Sequence, residues 1–76
     1  MFFQRLRDLR EDKDVTQEDI GALLNCHEDV YGRYERGIRE IPAWAVIKLA
    51  AYYNVSTDYI LGLTDDPTPY HRNQQK

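Results

Sequence analysis

This chain of 76 residues contains a single cysteine, Cys26. A chain of this length buries a small core, and many proteins of similar size depend on disulfides or a bound metal for stability. One cysteine cannot form an intramolecular disulfide framework or a cysteine-based zinc site. The simplest remaining fold is a small bundle of packed helices, and a deep catalytic cavity is not expected.

Apolar residues at helical spacing, separated by capping residues, predict five short helices and no strand. Thr16 and Ser56 suit the position before a helix, and Gly62 suits the position after one. Pro42 suits the first helical residue. The predicted helices cover about residues 2–13, 17–24, 28–36, 42–53 and 57–61. The predicted fold class is therefore all-α.

The predicted domain spans residues 1–63. Residues 64–76 contain two prolines and no aliphatic residue, which predicts a mobile tail. No apolar stretch approaches the roughly 20 residues that a membrane span needs, and the opening Met1-Phe2-Phe3 runs directly into polar residues. We therefore expect a cytoplasmic protein with no membrane association.

The net charge of the whole chain argues against binding to nucleic acid. Lys and Arg total 10 and Asp and Glu total 13, a net charge of −3, whereas DNA-binding domains are usually basic. A basic face can coexist with acidic flanks, however, so the position of each charge matters more than the total.

Several short motifs occur in an order that is typical of one family. They are TQEDI at residues 16–20, YERG at 34–37, REIP at 39–42, IKLA at 47–50 and YYNVS at 52–56. In order and spacing they resemble the Cro/cI-type (XRE) helix-turn-helix family, and the resemblance covers about residues 3–63. It implies a compact five-helix, lambda-repressor-like domain whose second and third helices form a helix-turn-helix that binds double-stranded DNA. No Ser-His-Asp set, phosphate-cradling glycine loop or spaced carboxylate pair stands out in the sequence, so neither enzyme activity nor a cofactor is expected.

The resemblance also implies which residues contact DNA. Gln17 corresponds to a phosphate-binding position, and Arg33, in a recognition helix at about residues 28–36, corresponds to a base-contacting position. Arginine suits guanine because it donates to O6 and N7 together. The loop after this helix corresponds to a segment that follows the sugar-phosphate backbone. The implied DNA-binding residues are Thr16, Gln17, His27, Glu28, Asp29, Arg33, Arg36 and Arg39.

Simpler alternatives exist for these assignments. Gln17 and Arg33 can be ordinary polar surface residues. Arg39 can pair with Glu40 or with solvent, and such exposed pairs contribute little energy. Thr16 is mainly a helix cap.

Three residues depart from what DNA binding requires. Phosphates repel Glu28 and Asp29, and a carboxylate on this face favours only a donor such as cytosine N4. The alternative is that both acids stabilise the start of the helix by about 0.3–1 kcal/mol through the helix dipole. Gly32 costs about 1 kcal/mol of helix propensity relative to alanine, and it can let the helix approach the groove closely.

The charge balance around the recognition helix predicts a dimer. The resemblance implies a structural ion pair between Arg10 and Glu35, which neutralises one acid in residues 27–39. Three arginines then remain against Glu28 and Asp29, which is weak for a single copy. A homodimer doubles the phosphate contacts and would place two recognition helices about 34 Å apart along the duplex.

The fourth helix offers a surface for such a dimer. The residues expected to face the core are Ala43, Val46, Ile47, Ala50 and Tyr53. Aromatic residues on the other side often mark a partner surface; alternatively, Trp44 lies across the surface of its own domain. The predicted dimer or partner surface consists of Trp44 and Tyr52 of the fourth helix, with Tyr59 and Ile60 of the fifth helix as a rival or additional contact.

Nothing in the sequence indicates a metal site or a small-molecule ligand. Cys26 lies beside His27, but two adjacent ligands do not make a metal site. The sequence thus predicts a bacterial or phage transcriptional repressor that binds a pseudo-palindromic operator as a homodimer. The alternative is a protein-interaction module that retains the helix-turn-helix fold but binds DNA weakly or not at all.

Overall fold

The computed structural model describes residues 2–69, and these residues form five helices and no strand. The helices are α1 (Gln4–Asp12), α2 (Gln17–Leu23), α3 (Glu28–Glu35), α4 (Ala43–Tyr53) and α5 (Thr57–Leu61). The all-α fold class and the number of helices that the sequence predicts are therefore confirmed. The Cα radius of gyration is 12.1 Å.

Capping side chains set the starts of α2 and α5. Thr16 Oγ1 accepts a hydrogen bond from the Asp19 N–H at 3.1 Å, and Asp19 Oδ2 accepts one from the Thr16 N–H at 2.9 Å. This reciprocal pair is a capping box. The Ser56 hydroxyl oxygen accepts from the Tyr59 N–H at 3.0 Å. Both N-caps are where the sequence predicts them.

A left-handed residue follows the end of each of the five helices, because glycine, asparagine and aspartate tolerate positive φ better than other residues do. These residues are Asp14 (φ 61°), Asn25 (59°), Gly37 (75°), Asn54 (58°) and Gly62 (79°). Two predicted helix starts are displaced. The first helix begins at Gln4, two residues late, and Pro42 is the N-cap of α4 with ψ 154° rather than its first helical residue.

Every helix contributes to one hydrophobic core. The buried core residues are Leu6, Ile20, Leu24, Tyr31, Ala45, Val46, Leu49, Ala50, Val55 and Ile60. Four of them belong to α4, so this helix lies against the centre of the domain.

The predicted core face of α4 is partly wrong. Ala45 and Leu49 are fully buried, whereas Ala43 is exposed and Ile47 is 53% exposed. The physical reason is that α4 is apolar on almost every side, with Lys48 as its single charged residue. A helix of this kind has no polar stripe from which the buried face can be identified.

The first residues of the predicted tail contact the domain. The Arg5 guanidinium donates to Asp65 Oδ1 at 2.6 Å. The Ser56 N–H donates to the Pro67 carbonyl oxygen at 3.2 Å. The remainder of the predicted tail, residues 70–76, lies outside the residues that the structure describes.

Candidate nucleic-acid interface

The turn between α2 and α3 depends on a close approach at Gly21, which was not among the predicted site residues. A Cβ atom at this position would lie 2.8 Å from the Cys26 carbonyl oxygen and 3.2 Å from the Glu28 backbone nitrogen. Both are backbone atoms, so the turn would have to move to admit a side chain. A glycine inside a predicted helix is the signal that could have identified this role, because such a glycine often has a packing reason.

The side chain of His27 caps α3. Its Nδ1 accepts a hydrogen bond from the Asp29 N–H at 3.1 Å, and the same nitrogen lies 3.6 Å from Asp29 Oδ2. A ring nitrogen that accepts a hydrogen bond carries no proton, so the cap uses the tautomer with its proton on Nε2. His27, which the resemblance assigns to DNA contact, therefore has a structural role at the start of α3.

The outer side of α3 and the loop after it present charges of both signs. The exposed charged residues are Glu28, Asp29, Arg33, Arg36, Arg39 and Glu40. Within residues 2–69, none of these three arginines forms an ion pair, and Arg39 does not pair with Glu40. All three guanidinium groups are therefore available to an external anion.

The loop after α3 folds back against the end of that helix. The N–H groups of Ile38 and Arg39 both donate to the Arg33 carbonyl oxygen, at 2.9 and 3.2 Å. This double contact fixes the start of the Arg39 side chain beside the C-terminal turn of α3. The loop arginine and the helix arginines consequently belong to one surface.

Arg10, Glu35 and Gln17 form a hydrogen-bonded network behind this surface. Arg10 Nε donates to Glu35 Oε2 at 2.8 Å, and Arg10 Nη2 donates to Oε1 at 3.1 Å. Gln17 Nε2 also donates to Glu35 Oε1, at 3.2 Å. Burial by itself raises the pKa of Glu35, but these hydrogen bonds outweigh it and hold the pKa below its usual value.

This network changes the charge that the surface presents. Glu35 is 3% exposed and stays ionised, with its charge compensated by Arg10. The outer side of α3 and the loop after it therefore keep the three unpaired arginines against the carboxylates of Glu28, Asp29 and Glu40. Gln17, which the resemblance assigns to a phosphate, uses part of its hydrogen-bonding capacity inside the protein.

Gly32 lies on the inner side of α3, contrary to the expectation that it lets this helix approach a groove. It is buried, and a Cβ atom there would lie 3.1 Å from Gln17 Oε1 and 3.1 Å from Arg36 Nη1. The glycine therefore leaves room for two side chains of the protein itself. One of these comes from α2 and the other from the end of α3.

The predicted partner surface is only partly exposed. Trp44 is 55% exposed. Tyr52 is half-buried with its ring edge-on to Tyr53 at 5.1 Å, and the Arg5 guanidinium lies 4.1 Å from the centre of the Tyr59 ring.

Ile60 is 1% exposed, so its assignment to the partner surface is wrong. Its helix, α5, has only five residues, too few for apolar periodicity to show which side is buried.

An apolar groove of about 520 Å³ lies beside the exposed side of α4. Its lining residues are Phe3, Glu40, Ile41, Ala43, Val46, Ile47, Thr57 and Leu61. Ile47 and Ala43, expected in the core, thus form part of an open surface instead. This surface extends the apolar area that Trp44 begins.

The described part of the chain offers neither a cluster of metal ligands nor a membrane-spanning helix. No three His, Cys, Asp or Glu side chains among residues 2–69 are grouped so that they could hold a metal ion. The longest helix of that range, α4, has 11 residues, and none of its helices has the length and apolar character needed to cross a membrane.

Comparison with known families matches residues 3–60 to a family described as a helix-turn-helix domain. The match covers most of the chain and all of the turn between α2 and α3. The chain belongs to this helix-turn-helix family. The Cro/cI-type resemblance and the lambda-repressor-like fold are confirmed by this match and by the relatives below.

Several curated helix-turn-helix proteins are similar to the chain. The HTH-type transcriptional regulator YobD of Bacillus subtilis is 44% identical over 69 residues, 91% of this chain and 62% of that protein. ImmR, an HTH-type transcriptional regulator of the same organism, is 37% identical over 78% of this chain and 46% of its own length. The cryptic phage CTXphi transcriptional repressor RstR of Vibrio cholerae is 34% identical over 72% of this chain and 50% of its own length.

This helix-turn-helix chain spans about half to three fifths of the length of these relatives. The family and these relatives are transcriptional regulators rather than enzymes. No solved structure matches the chain significantly.

Proposed function

We propose that this protein is a sequence-specific DNA-binding transcriptional regulator that acts as a repressor in the cytoplasm. The observation that carries the proposal is the set of exposed, unpaired arginines at α3 and its following loop, in a chain of the helix-turn-helix family. In the proposed complex α3 lies in the major groove, where Arg33 donates to a guanine. Arg36, Arg39 and Gln17 contact phosphates and fix the position of α3 on the duplex. Binding at a promoter excludes polymerase sterically.

In this proposal Glu28 and Asp29 contribute to specificity rather than affinity. Their exposed carboxylates can accept a hydrogen bond from cytosine N4, and they are repelled by every phosphate. Repulsion weakens binding to all sequences alike, whereas the cytosine contact is made only at the correct site. The two acids therefore increase the difference between specific and non-specific binding.

A homodimer completes the proposed function. Three exposed arginines stand against three exposed acids, Glu28, Asp29 and Glu40, so one copy has no net positive charge at this surface, and two copies double the phosphate contacts. Trp44, Ile47 and the adjoining apolar groove supply exposed apolar area for a two-fold interface. A two-fold dimer reads a pseudo-palindromic operator, because each half-site then meets the same surface.

The variant Arg33→Ala tests the recognition helix. Loss of a bidentate guanine contact should cost about 1–3 kcal/mol at one base pair and relax discrimination there, without unfolding the domain. Affinities for sites enriched from a random duplex pool measure the effect. Arg7→Ala, at an exposed arginine of α1, is the matched control and should leave discrimination intact. Unchanged discrimination in Arg33→Ala would show that the recognition surface lies elsewhere.

The variant Trp44→Ala tests the dimer surface. Sedimentation velocity should show a shift from dimer to monomer at concentrations where the wild-type protein is dimeric. Leu63→Ala removes an apolar side chain that is 72% exposed but lies outside α4, and it should not change association. Equal association of the wild-type protein and Trp44→Ala would exclude Trp44 from the interface.

A second candidate function is a protein-interaction module with little affinity for DNA. The observations that favour it are the net charge of −3 and the exposed acids at the start of α3. This candidate predicts a folded protein that does not bind duplex DNA at low salt. In that case the apolar surface around Trp44 would be the region to examine for a protein partner.

A further inference from the structure

The side chain of Gln17 is held by α3 rather than by its own helix. Its Nε2 donates to Glu35 Oε1, which also accepts from Arg10 Nη2. The other carboxylate oxygen accepts from Arg10 Nε at 2.8 Å. Arg10 therefore fixes the Glu35 carboxylate through both oxygens, and the carboxylate is a rigid acceptor for the Gln17 amide.

The absence of a side chain at position 32 leaves the space that this amide occupies. A Cβ atom on Gly32 would lie 3.1 Å from Gln17 Oε1 and 3.6 Å from Gln17 Cδ. Glycine is a poorer helix residue than alanine, so helix stability does not account for its presence in α3. A methyl group at this position would force the Gln17 amide to move by a few tenths of an ångström, which would disturb its hydrogen bond to the Glu35 carboxylate.

We propose that Glu35 and Gly32 are positioning residues for the DNA contact of Gln17. The inference rests on the proposed function, in which the Gln17 amide donates to a phosphate. A glutamine amide has two N–H bonds, and within residues 2–69 the side chain makes no hydrogen bond besides the one to Glu35. Fixing one N–H orients the other and reduces the side-chain entropy that is lost on binding. The buried ion pair therefore serves DNA binding as well as stability.

Three variants test the inference with a random-sequence duplex at low salt, since phosphate contacts carry no sequence information. Gln17→Ala and Gly32→Ala should each weaken binding about three- to tenfold, as expected for one hydrogen bond. The double variant should bind no more weakly than Gln17→Ala, because Gly32 acts only through Gln17. Gln4→Ala is the matched control: Gln4 also begins a helix, its amide donates to Asp8 at 3.0 Å, and its removal should not change binding.

The salt dependence of binding shows whether Gly32→Ala acts through Gln17 or through the guanidinium of Arg36, the other neighbour of Gly32. A neutral amide that contacts a phosphate releases no counterion, so Gly32→Ala should leave the slope of log Kd against log salt unchanged. If the added methyl group acts by moving Arg36 instead, the slope should fall by about 0.9 for the lost phosphate contact. That result would overturn the inference.

A measurement without DNA completes the test. The two Gln17 side-chain amide protons should have NMR shifts that differ from those of a free glutamine in the wild-type protein, and these shifts should move toward the free values in Gly32→Ala. Thermal unfolding checks that this variant is folded. Wild-type binding with Gly32→Ala, or additive losses in the double variant, overturns this inference alone. If the wild-type protein does not bind DNA at low salt, the proposed function fails and this inference fails with it.

Discussion

The two halves of the domain are held together in different ways. In α1–α3, specific polar atoms fix the arrangement: the capping box at Thr16, the backbone approach at Gly21 and the pair of Arg10 with Glu35. In α4 and α5, burial of apolar side chains dominates, and apolar area around Trp44 is left exposed. Directional contacts fix the orientation of α3 closely, as a surface that recognises a rigid partner requires. Helix α4 is apolar on two sides, so it can bury one side in the core of its own domain and present the other side to a partner.

The largest expected effect on the free energy of unfolding is at Glu35, in the half that is held by polar contacts. Glu35→Ala leaves Arg10 with a partly buried, uncompensated charge, and we expect a loss of about 3–5 kcal/mol in the free energy of unfolding. Arg7→Ala is the control, because Arg7 and Glu11 form an exposed pair on the same helix with side chains 58% and 53% exposed. Such a pair contributes at most about 0.5 kcal/mol. Urea unfolding followed by circular dichroism measures both, and equal losses would contradict the account.

The ion pair of Arg10 with Glu35 also makes the stability of the domain depend on pH. The pKa of Glu35 is lowered in the folded protein, so its stabilisation is complete above the unfolded-state pKa of about 4.3 and is lost as pH falls through the folded value. A protonated glutamate resembles glutamine. The difference in unfolding free energy between the wild-type protein and Glu35→Gln should therefore shrink as pH falls below about 4.3, the unfolded-state pKa. A constant difference would show that Glu35 does not titrate with unfolding.

The two buried glycines should respond differently to alanine. Gly21→Ala forces a methyl group against backbone atoms, and we expect a loss of about 1–3 kcal/mol despite the better helix propensity of alanine. Gly32→Ala meets only the ends of two flexible side chains and should remain folded with little change in stability. Thermal unfolding of both variants measures the contrast. A stable Gly21→Ala would mean that the turn can move freely.

The helix caps in the two halves should contribute equally to the free energy of unfolding. Thr16→Ala and Ser56→Ala each remove a side-chain acceptor for one backbone N–H at a helix start, and each should cost about 1 kcal/mol. Urea unfolding of the two variants gives the comparison directly. A much larger loss at Thr16 would show that the capping box also holds the turn to α3.

The smallest expected effect on stability is at Trp44. This side chain is 55% exposed and belongs to no capping or ion-pair network in the described residues, so Trp44→Ala should change the unfolding free energy of the monomer by no more than about 0.5 kcal/mol. Unfolding at a concentration where the protein is monomeric measures this. A large loss would mean that the tryptophan packs on its own domain, which is the simpler alternative to a partner surface.

The same contrast explains how much of the fold could be predicted from the sequence. Capping residues such as Thr16, Ser56 and Gly62 act on the few residues next to them, so the sequence shows where α2 and α5 begin and where α5 ends. The buried face of α4 could not be predicted, because that helix is apolar on nearly every side. The burial of Ile60 was missed for a related reason, since five residues are too few to show a period.

The candidate site shows the same division. The motifs locate α3 and its arginines, because each motif is a short run of neighbouring residues that can be read directly from the sequence. The contact of Gln17 with Glu35 joins residues 18 positions apart and depends on an empty space at Gly32. Sequence spacing cannot indicate such a contact, because it arises only when α2 and α3 pack together. The sequence therefore suggests that Gly32 lies on the groove side of α3, whereas in the structure it is buried on the inner side.

The most direct test of the account is fluorescence-anisotropy binding to a random duplex pool at two salt concentrations, with the bound fraction sequenced. The affinity for DNA should fall steeply as the salt concentration rises, and the slope of log Kd against log salt should reflect the number of neutralised phosphates. The sequenced fraction should be enriched in a pseudo-palindrome. A folded protein that does not bind duplex DNA at low salt would contradict the account. The acids at the start of α3 would then outweigh its arginines, and the domain would be a protein-interaction module.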